Sequence, residues 1–364
     1  MSDVQVMIGD SVHRLFGDLV TREAIERFDR DGMSADLWEA CTDAGLERAL
    51  ASEAHGGIDA QLADALPIFH AVGYHAAGVP LADTLMANWL LSQAGIAPPE
   101  GAVALLGGRG HAAALRWERP TAASAGAVTG RAHGVAWAGV AKWGVAVVGV
   151  GVAARVLLIA LDETPSLALG RRVNRAMEPA ADIVFSGAGV AAHGALDWPE
   201  ATCAVEHAGA LARAAQLAGA LERVLELSVA YANERVQFGK PIGKNQIIQQ
   251  MLAEMAGQVA SSRAGVITAY SVRTPSRFDT AVAKLRTSEA AGIAASTAHQ
   301  VHGAIGFTHE HVLHFFTRRL WSWRNEFGTD ALWAAELGKA AIAGGPQAFW
   351  PSVVAREQAG RAAG

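Results

Sequence analysis

The apolar residues of this chain keep two different periods, and the changes of period divide it into three zones. Over the first hundred residues they recur at the three- and four-residue steps of a helix face. Val12, Leu15, Phe16 and Leu19 form one such set; Leu37, Trp38 and Cys41, stopped by Gly45, form another. Longer helical patterns cover 60–74 and 81–94, after a turn signal at 52–57. From about 101 to 197 the helical period disappears and Val, Gly and Thr rise. The run ending at Leu161 reads as a buried strand and 183–185 as a short one. Gly130, Gly134, Gly139 and the segment 163–165 interrupt the zone at intervals that leave room only for short strands. From about 200 the helical period returns. Leu217, Leu221, Val224, Leu225 and Ser228 mark a long helix ending near Phe238-Gly239. After Pro241, Ile248, Met251, Leu252, Met255 and Val259 mark the next, and two more follow around 279–303 and 309–325. Long helices joined by short turns predict a four-helix bundle. The expected fold is α+β and mostly α. A helical domain covers 1–100, a central β domain 101–199 and the bundle 200–350; a tail over 351–364 frays from Arg356.

Composition excludes several classes. A formal net charge of −5 argues against a general nucleic-acid binder. The two cysteines, Cys41 and Cys203, are far apart, which excludes a disulfide scaffold and a cysteine-built zinc site. Few cysteines suit a reducing, cytoplasmic setting. The first twenty residues lack the pattern of an export signal. The charge-free stretch 143–154 is shorter than the roughly 20 apolar residues that a spanning helix needs.

Two motif-like features have plain explanations. Residues 149–154 match GxGxxA, but a dinucleotide fingerprint needs a helix after it, and a strand-like run follows; the segment reads as a β turn. His302, His309, His311 and His314 cluster around Glu310. His309 and His311 are two apart and diverge, so packing histidines are the expectation and no metal site is assigned.

Two other segments carry more. Residues 232–246 read ANERVQFGKPIGKNQ: a helix ends in Arg235, a Phe-Gly stop and a Pro-Ile turn, and a new helix starts at once. Some fifty residues on, 300–308 read QVHGAIGFT. Taken alone, Arg235 is a favourable helix-end cation and each segment is a helix–helix corner. Together, in this order and spacing, they resemble the acyl-CoA dehydrogenase family. Leu37-Trp38, Ala44-Gly45, SEAHGG at 52–57 and the helix ending at Tyr74 agree with it.

That resemblance implies a tetramer of such three-part subunits, with FAD at a subunit interface. A buried glutamate takes the α-proton of an acyl-CoA thioester and the β-hydrogen leaves as hydride to the flavin. It implies that Arg235, Phe238, Gln300 and Gly303 hold the pyrophosphate and adenosine end of an FAD bound mainly to a neighbour, Arg235 through charge-assisted hydrogen bonds. Ala304 stands where the family has a second glycine.

The departures are informative. The flavin-contacting TEP-like segment is replaced by 102–107 (AVALLG), and Lys142-Trp143-Gly144-Val145 keeps the tryptophan of a second flavin contact but not its hydroxyl. One family position for the base falls at Phe327, with Glu326 one residue early; the other falls at Gly209, with Glu206 nearby but out of register. The expectation is an FAD-dependent acyl-CoA dehydrogenase subunit that is the non-catalytic partner in an α2β2 heterotetramer. Such pairs often take bulky acyl-CoAs. The alternatives are a self-sufficient homotetramer using Glu326 as base, and a non-redox scaffold of this fold that binds acyl-CoA or a protein partner. Trp321 and Trp323 are expected to fill space near the vacated base position.

Overall fold

The computed structural model describes residues 2–107, 114–118, 126–149, 154–162, 167–198, 200–272, 274–348 and 350–351. The expected turn over 149–154, the break at 163–165 and the fraying tail fall wholly or mostly outside these residues.

Five helices come first: α1 (Asp3–Leu19), α2 (Arg22–Asp31), α3 (Ala35–Asp43), α4 (Leu62–Tyr74) and α5 (Leu81–Gln93). Ser2 caps α1 by accepting from the Gln5 amide, and Ile8, Val12 and Phe16 form its buried stripe. Helix α2 was not anticipated. Its charged sequence hides two buried apolar residues, Ile25 and Phe28, and Thr21 caps it.

Seven strands follow: β1 (Val103–Leu105), β2 (Ala114–Glu118), β3 (Ala127–Ala136), β4 (Trp143–Val148), β5 (Arg155–Ala160), β6 (Leu167–Val173) and β7 (Pro179–Ala195). They form one sheet in the order β1-β4-β5-β7-β3-β2, with β6 also on β7; β1 runs parallel to β4 and the other pairs are antiparallel. The expectation of short strands fails for β3, with 10 residues, and β7, with 17. Gly130 and Gly134 do not end β3. Both lie inside it with positive φ, and a register shift between Ala132 and Val135 absorbs the irregularity. Strand β7 is long because it serves three partners, β6 over 179–185, β3 over 180–189 and β5 over 190–195.

The rest is helical: α6 (Ala204–Glu234), α7 (Gln246–Tyr270), α8 (Arg277–His302), α9 (Leu313–Trp323) and α10 (Asp330–Gly344). Helix α6 ends at Glu234, four residues before the expected stop, because a small hairpin of β8 (Val236–Gln237) and β9 (Lys240–Pro241) begins there. Residues 309–312 form a turn rather than the start of α9. Helix α10, also unanticipated, packs Trp333 into the core.

Helix α6 is buried along most of its length, which its alanines allow. Its backbone nearly touches that of α4. A Cβ at Gly73 would lie 1.8 Å from the Gln216 carbonyl oxygen, and one at Gly219 2.0 Å from that of His70. This close pair of helices fixes the floor on which the candidate site is built. Among the described residues no helix is long and apolar enough to cross a membrane.

Candidate active site and cofactor contacts

Both sequence positions expected for a base come together, and neither carries an acid. Gly209, in the first two turns of α6, lies directly under the Phe327 ring: a Cβ there would sit 2.3 Å from ring Cδ1. Phe327 is buried and holds φ +52, followed by Gly328 at φ +100. A side chain of any kind at 209 is excluded while this ring is in place.

Glu326 points elsewhere. It accepts from Arg213 Nε at 2.7 Å, Ser322 Oγ at 3.0 Å and Asn174 Nδ2 at 3.2 Å. Arg213 stands one turn beyond Gly209 on α6 and is fully buried. It forks onto Asp83 of α5, Nη1 to Oδ2 at 2.7 Å and Nη2 to Oδ1 at 3.1 Å, and Nη1 also donates to Gln216 at 2.8 Å. The guanidinium lies 5.4 Å from the centroid of the Phe327 ring. Burial works against its charge, but Asp83, Glu326 and Glu178 outweigh burial and hold it protonated beyond the ordinary arginine range.

The network extends. Glu178 is fully buried, accepting from Trp323 Nε1 at 2.9 Å and Asn174 Nδ2 at 2.6 Å. Burial, and then the Glu326 charge, push its carboxyl up to about 7. Lys284, on α8, is also fully buried. It donates to Ser288 Oγ at 3.0 Å and to the carbonyls of Arg324 at 2.8 Å and Gly328 at 3.0 Å, so it pins the loop bearing Glu326 and Phe327. Burial pulls its ammonium down to about 7. Trp323 is buried here as expected, whereas Trp321 is 38% exposed and lies over Arg324 instead. Glu206 is half-buried on the first turn of α6.

The two stretches that the sequence resemblance sets against the flavin-ring contacts, 102–107 and 142–145, are packed on each other. The Leu106 amide donates to the Val145 carbonyl at 2.8 Å, and the Leu106 side chain fills the space over Gly144, where a Cβ would lie 2.6 Å from it. Val145 is fully buried, and Trp143 Nε1 donates to the Glu100 carbonyl.

Arg235, Phe238, Gln300 and Gly303 lie in the opposite situation: all four are exposed. Arg235 ends α6, and its carbonyl accepts from the Ile242 amide at 2.9 Å. Phe238 tips the hairpin with φ +53 and is 100% exposed. Gln300 is in the last turn of α8, and Gly303 leaves that helix at φ +64, where a side chain would be strained. Tyr231, one turn before Arg235, stacks on His302 with ring centroids 4.5 Å apart, so both segments share one end of the bundle. Val236, Ile247 and Phe307 are exposed around them.

The histidines are used in packing. His302 also meets His311 at 4.6 Å, and His299 stacks on Phe307 at 4.3 Å. Among the described residues no group of three or more His, Cys, Asp or Glu is disposed to hold a metal.

Sequence reasoning missed Asp83, Asn174, Glu178, Arg213 and Lys284. Arg213 left one trace: a lone charge in the Ala-rich run 208–220, on a helix otherwise buried all round. Its partners come from separate elements, and no local pattern links them.

Comparison with known proteins bears on these observations. A family model described as acyl-CoA dehydrogenase, C-terminal domain, matches residues 204–341. Acyl-CoA dehydrogenase IpdE2 of Mycolicibacterium smegmatis is 42% identical over 110 residues, which is 30% of this chain and 35% of that protein. The match thus spans about a third of that relative's length. Acyl-CoA dehydrogenase FadE27 of Mycobacterium tuberculosis is 26% identical over 313 residues, 79% of this chain and 82% of that one. Among solved structures, the ChsE4-ChsE5 complex from Mycobacterium tuberculosis superposes with TM-score 0.85 at 22% identity, covering 95% of this chain and 99% of that chain. Butyryl-CoA dehydrogenase from Megasphaera elsdenii gives TM-score 0.81 at 20% identity, covering 93% and 98%. At these identities the likeness to the two structures is one of fold.

Proposed function

This chain belongs to the acyl-CoA dehydrogenase family, and from that premise we propose that it is the non-catalytic subunit of an FAD-dependent member, paired with a catalytic homologue as α2β2. The pair desaturates an acyl-CoA thioester between its α and β carbons. FAD, when bound, supplies the hydride-accepting chemistry.

This chain's share is to hold one end of that cofactor. The exposed quartet fits the task. Arg235 presents a guanidinium to a diphosphate, and Gly303 lets the backbone approach without a side chain. A fully exposed Phe238 ring is costly in water and is relieved by an apolar or aromatic partner. The ring-side positions do not fit in the same way: Leu106 and Gly144 fill each other's space.

One observation carries the non-catalytic assignment: Phe327 is packed onto Gly209, so both places for a base are closed by one contact. A positioned general base is worth about 10²- to 10⁴-fold in rate, so a chain without one is a poor dehydrogenase alone. The ChsE4-ChsE5 complex is a precedent for pairing on this fold. The self-sufficient alternative requires Glu326 to leave Arg213, Ser322 and Asn174, three partners that it already satisfies.

Expression alone and with a homologue carrying a base is the test. The account expects a nearly colourless chain alone and one FAD per pair on coexpression. A yellow, active homo-oligomer whose turnover is lost in Glu326→Gln would establish the alternative. Absence of flavin in every pairing would favour the non-redox scaffold.

A further inference from the structure

A cavity of about 760 Å³ lies between α1, α4, α6 and α7. Its lining shares no residue with the closed corner around Phe327 or with the exposed quartet. The volume is in the range of small-molecule sites. Its apolar lining residues are Val6, Leu66, Pro67, Val266 and Ile267. Its polar lining residues include Asp10, His13, His70 and Glu222. His70 Nε2 and Glu222 Oε2 are 3.1 Å apart, and His13 Nδ1 and His75 Nε2 are also 3.1 Å apart. Tyr270 lines the cavity as well; it is buried, and its hydroxyl has no hydrogen-bond partner among the described residues.

The charge of this lining narrows the ligand. Asp10, Asp64 and Glu222 are on it, against one arginine, Arg263, whose guanidinium is 3.6 Å from Glu222. Burial, and then His70, lower the pKa of His13, so it adds no positive charge at neutral pH. Its hydrogen bond with His70 keeps Glu222 ionised. Asp10 has no ion-pair partner among the described residues. The surplus of negative charge disfavours carboxylates and phosphates. Asp10 is exposed, so a cationic group gains a contact there that a neutral ligand does not.

We propose that this cavity binds a cationic amphiphile, a primary amine on an apolar chain or ring. Its ammonium lies on the Asp10, His13 and Glu222 side and its body against Leu66, Pro67, Val266 and Ile267. An ammonium brings three donors to a lining rich in acceptors, and an apolar body covers its aliphatic residues.

The test uses the full chain and three eight-carbon probes, n-octylamine, 1-octanol and octanoate, titrated calorimetrically near neutral pH below their aggregation concentrations. Octylamine is expected to bind saturably with one site, and octanoate at least about 10-fold more weakly. Asp10→Asn should weaken octylamine by about 5- to 10-fold, the value of one charge-assisted contact, and leave octanol unchanged. Gly9→Leu should abolish binding of both. Gly9 lines the cavity from α1, and a Cβ there meets Pro67 at an ordinary 3.5 Å, so the variant folds while its side chain fills the space. The proposal is overturned if octylamine shows no saturable binding, if octanol or octanoate binds as tightly, or if octylamine binding survives both substitutions unchanged.

Discussion

The two ends of the bundle treat charge in opposite ways. At one end Arg235 and Phe238 stand in solvent with little holding them. At the other, Arg213 is sealed among Asp83, Gln216 and Glu326, and its neighbour Phe327 covers Gly209. On the proposed reading the exposed end serves something outside the chain, whereas Arg213 and Glu326 at the sealed end take their partners from within it. Residues at the sealed end should therefore govern stability, and those at the exposed end should govern cofactor retention in the assembly.

The largest effect should come from Arg213→Met. It leaves two carboxylates buried without their counter-charge, and breaking such a network costs about 3–5 kcal/mol. Urea unfolding of the isolated chain reads it directly. Arg235→Met, the same change at the exposed end, should move the midpoint by less than about 0.5 kcal/mol. Equal effects would erase the contrast.

Next comes Gly209→Glu. Alone it should destabilise by about 1–3 kcal/mol, because the new side chain meets the Phe327 ring. Combined with Phe327→Gly, it should recover part of that loss, since one substitution makes room for the other. Additive losses in a double-mutant cycle would mean that this contact is not what closes the corner.

The third prediction concerns pH. Glu178 is raised to about 7 in the folded chain, above an ordinary unfolded glutamate. The folded state then binds the proton more tightly, so this group's stabilisation is present at low pH. It is lost as pH rises from about 4.5 through 7, by an amount on the order of 1–3 kcal/mol. The difference in stability between the chain and Glu178→Gln, followed over pH 5 to 7.5, isolates it from the half-buried His75. His75 is lowered to about 4 and acts in the opposite sense. A flat difference would contradict the buried-acid reading.

The smallest effect on the chain itself should be that of Phe238→Ser. The isolated protein should keep its stability within about 0.5 kcal/mol. The coexpressed assembly should lose flavin on dilution faster than the parent, which absorbance of the filtrate measures.

The sequence revealed one end better than the other. The exposed quartet lies in two continuous segments, 232–246 and 300–308, where helix stops and glycines leave local marks. The three-zone architecture was legible for the same reason, since periodicity is a local property. The sealed corner was half legible. Phe327 and Gly209 could be named from spacing, but their contact depends on how α6 meets the loop after α9. The network around Arg213 was not legible: Asp83, the turn bearing Asn174 and Glu178, Arg213 and Glu326 come from four parts of the chain, and a buried ion pair has no period. Glycine misled in the sheet, where Gly130 and Gly134 bend β3 without ending it.

The central claim is that this chain has no working dehydrogenation site of its own. Its most direct test is anaerobic addition of short-chain, long-chain and ring-bearing acyl-CoAs to the isolated full chain in excess FAD, followed by flavin absorbance. The account predicts no bleaching with any of them, in the chain or in Glu326→Gln. Bleaching that the chain supports and Glu326→Gln abolishes would contradict it.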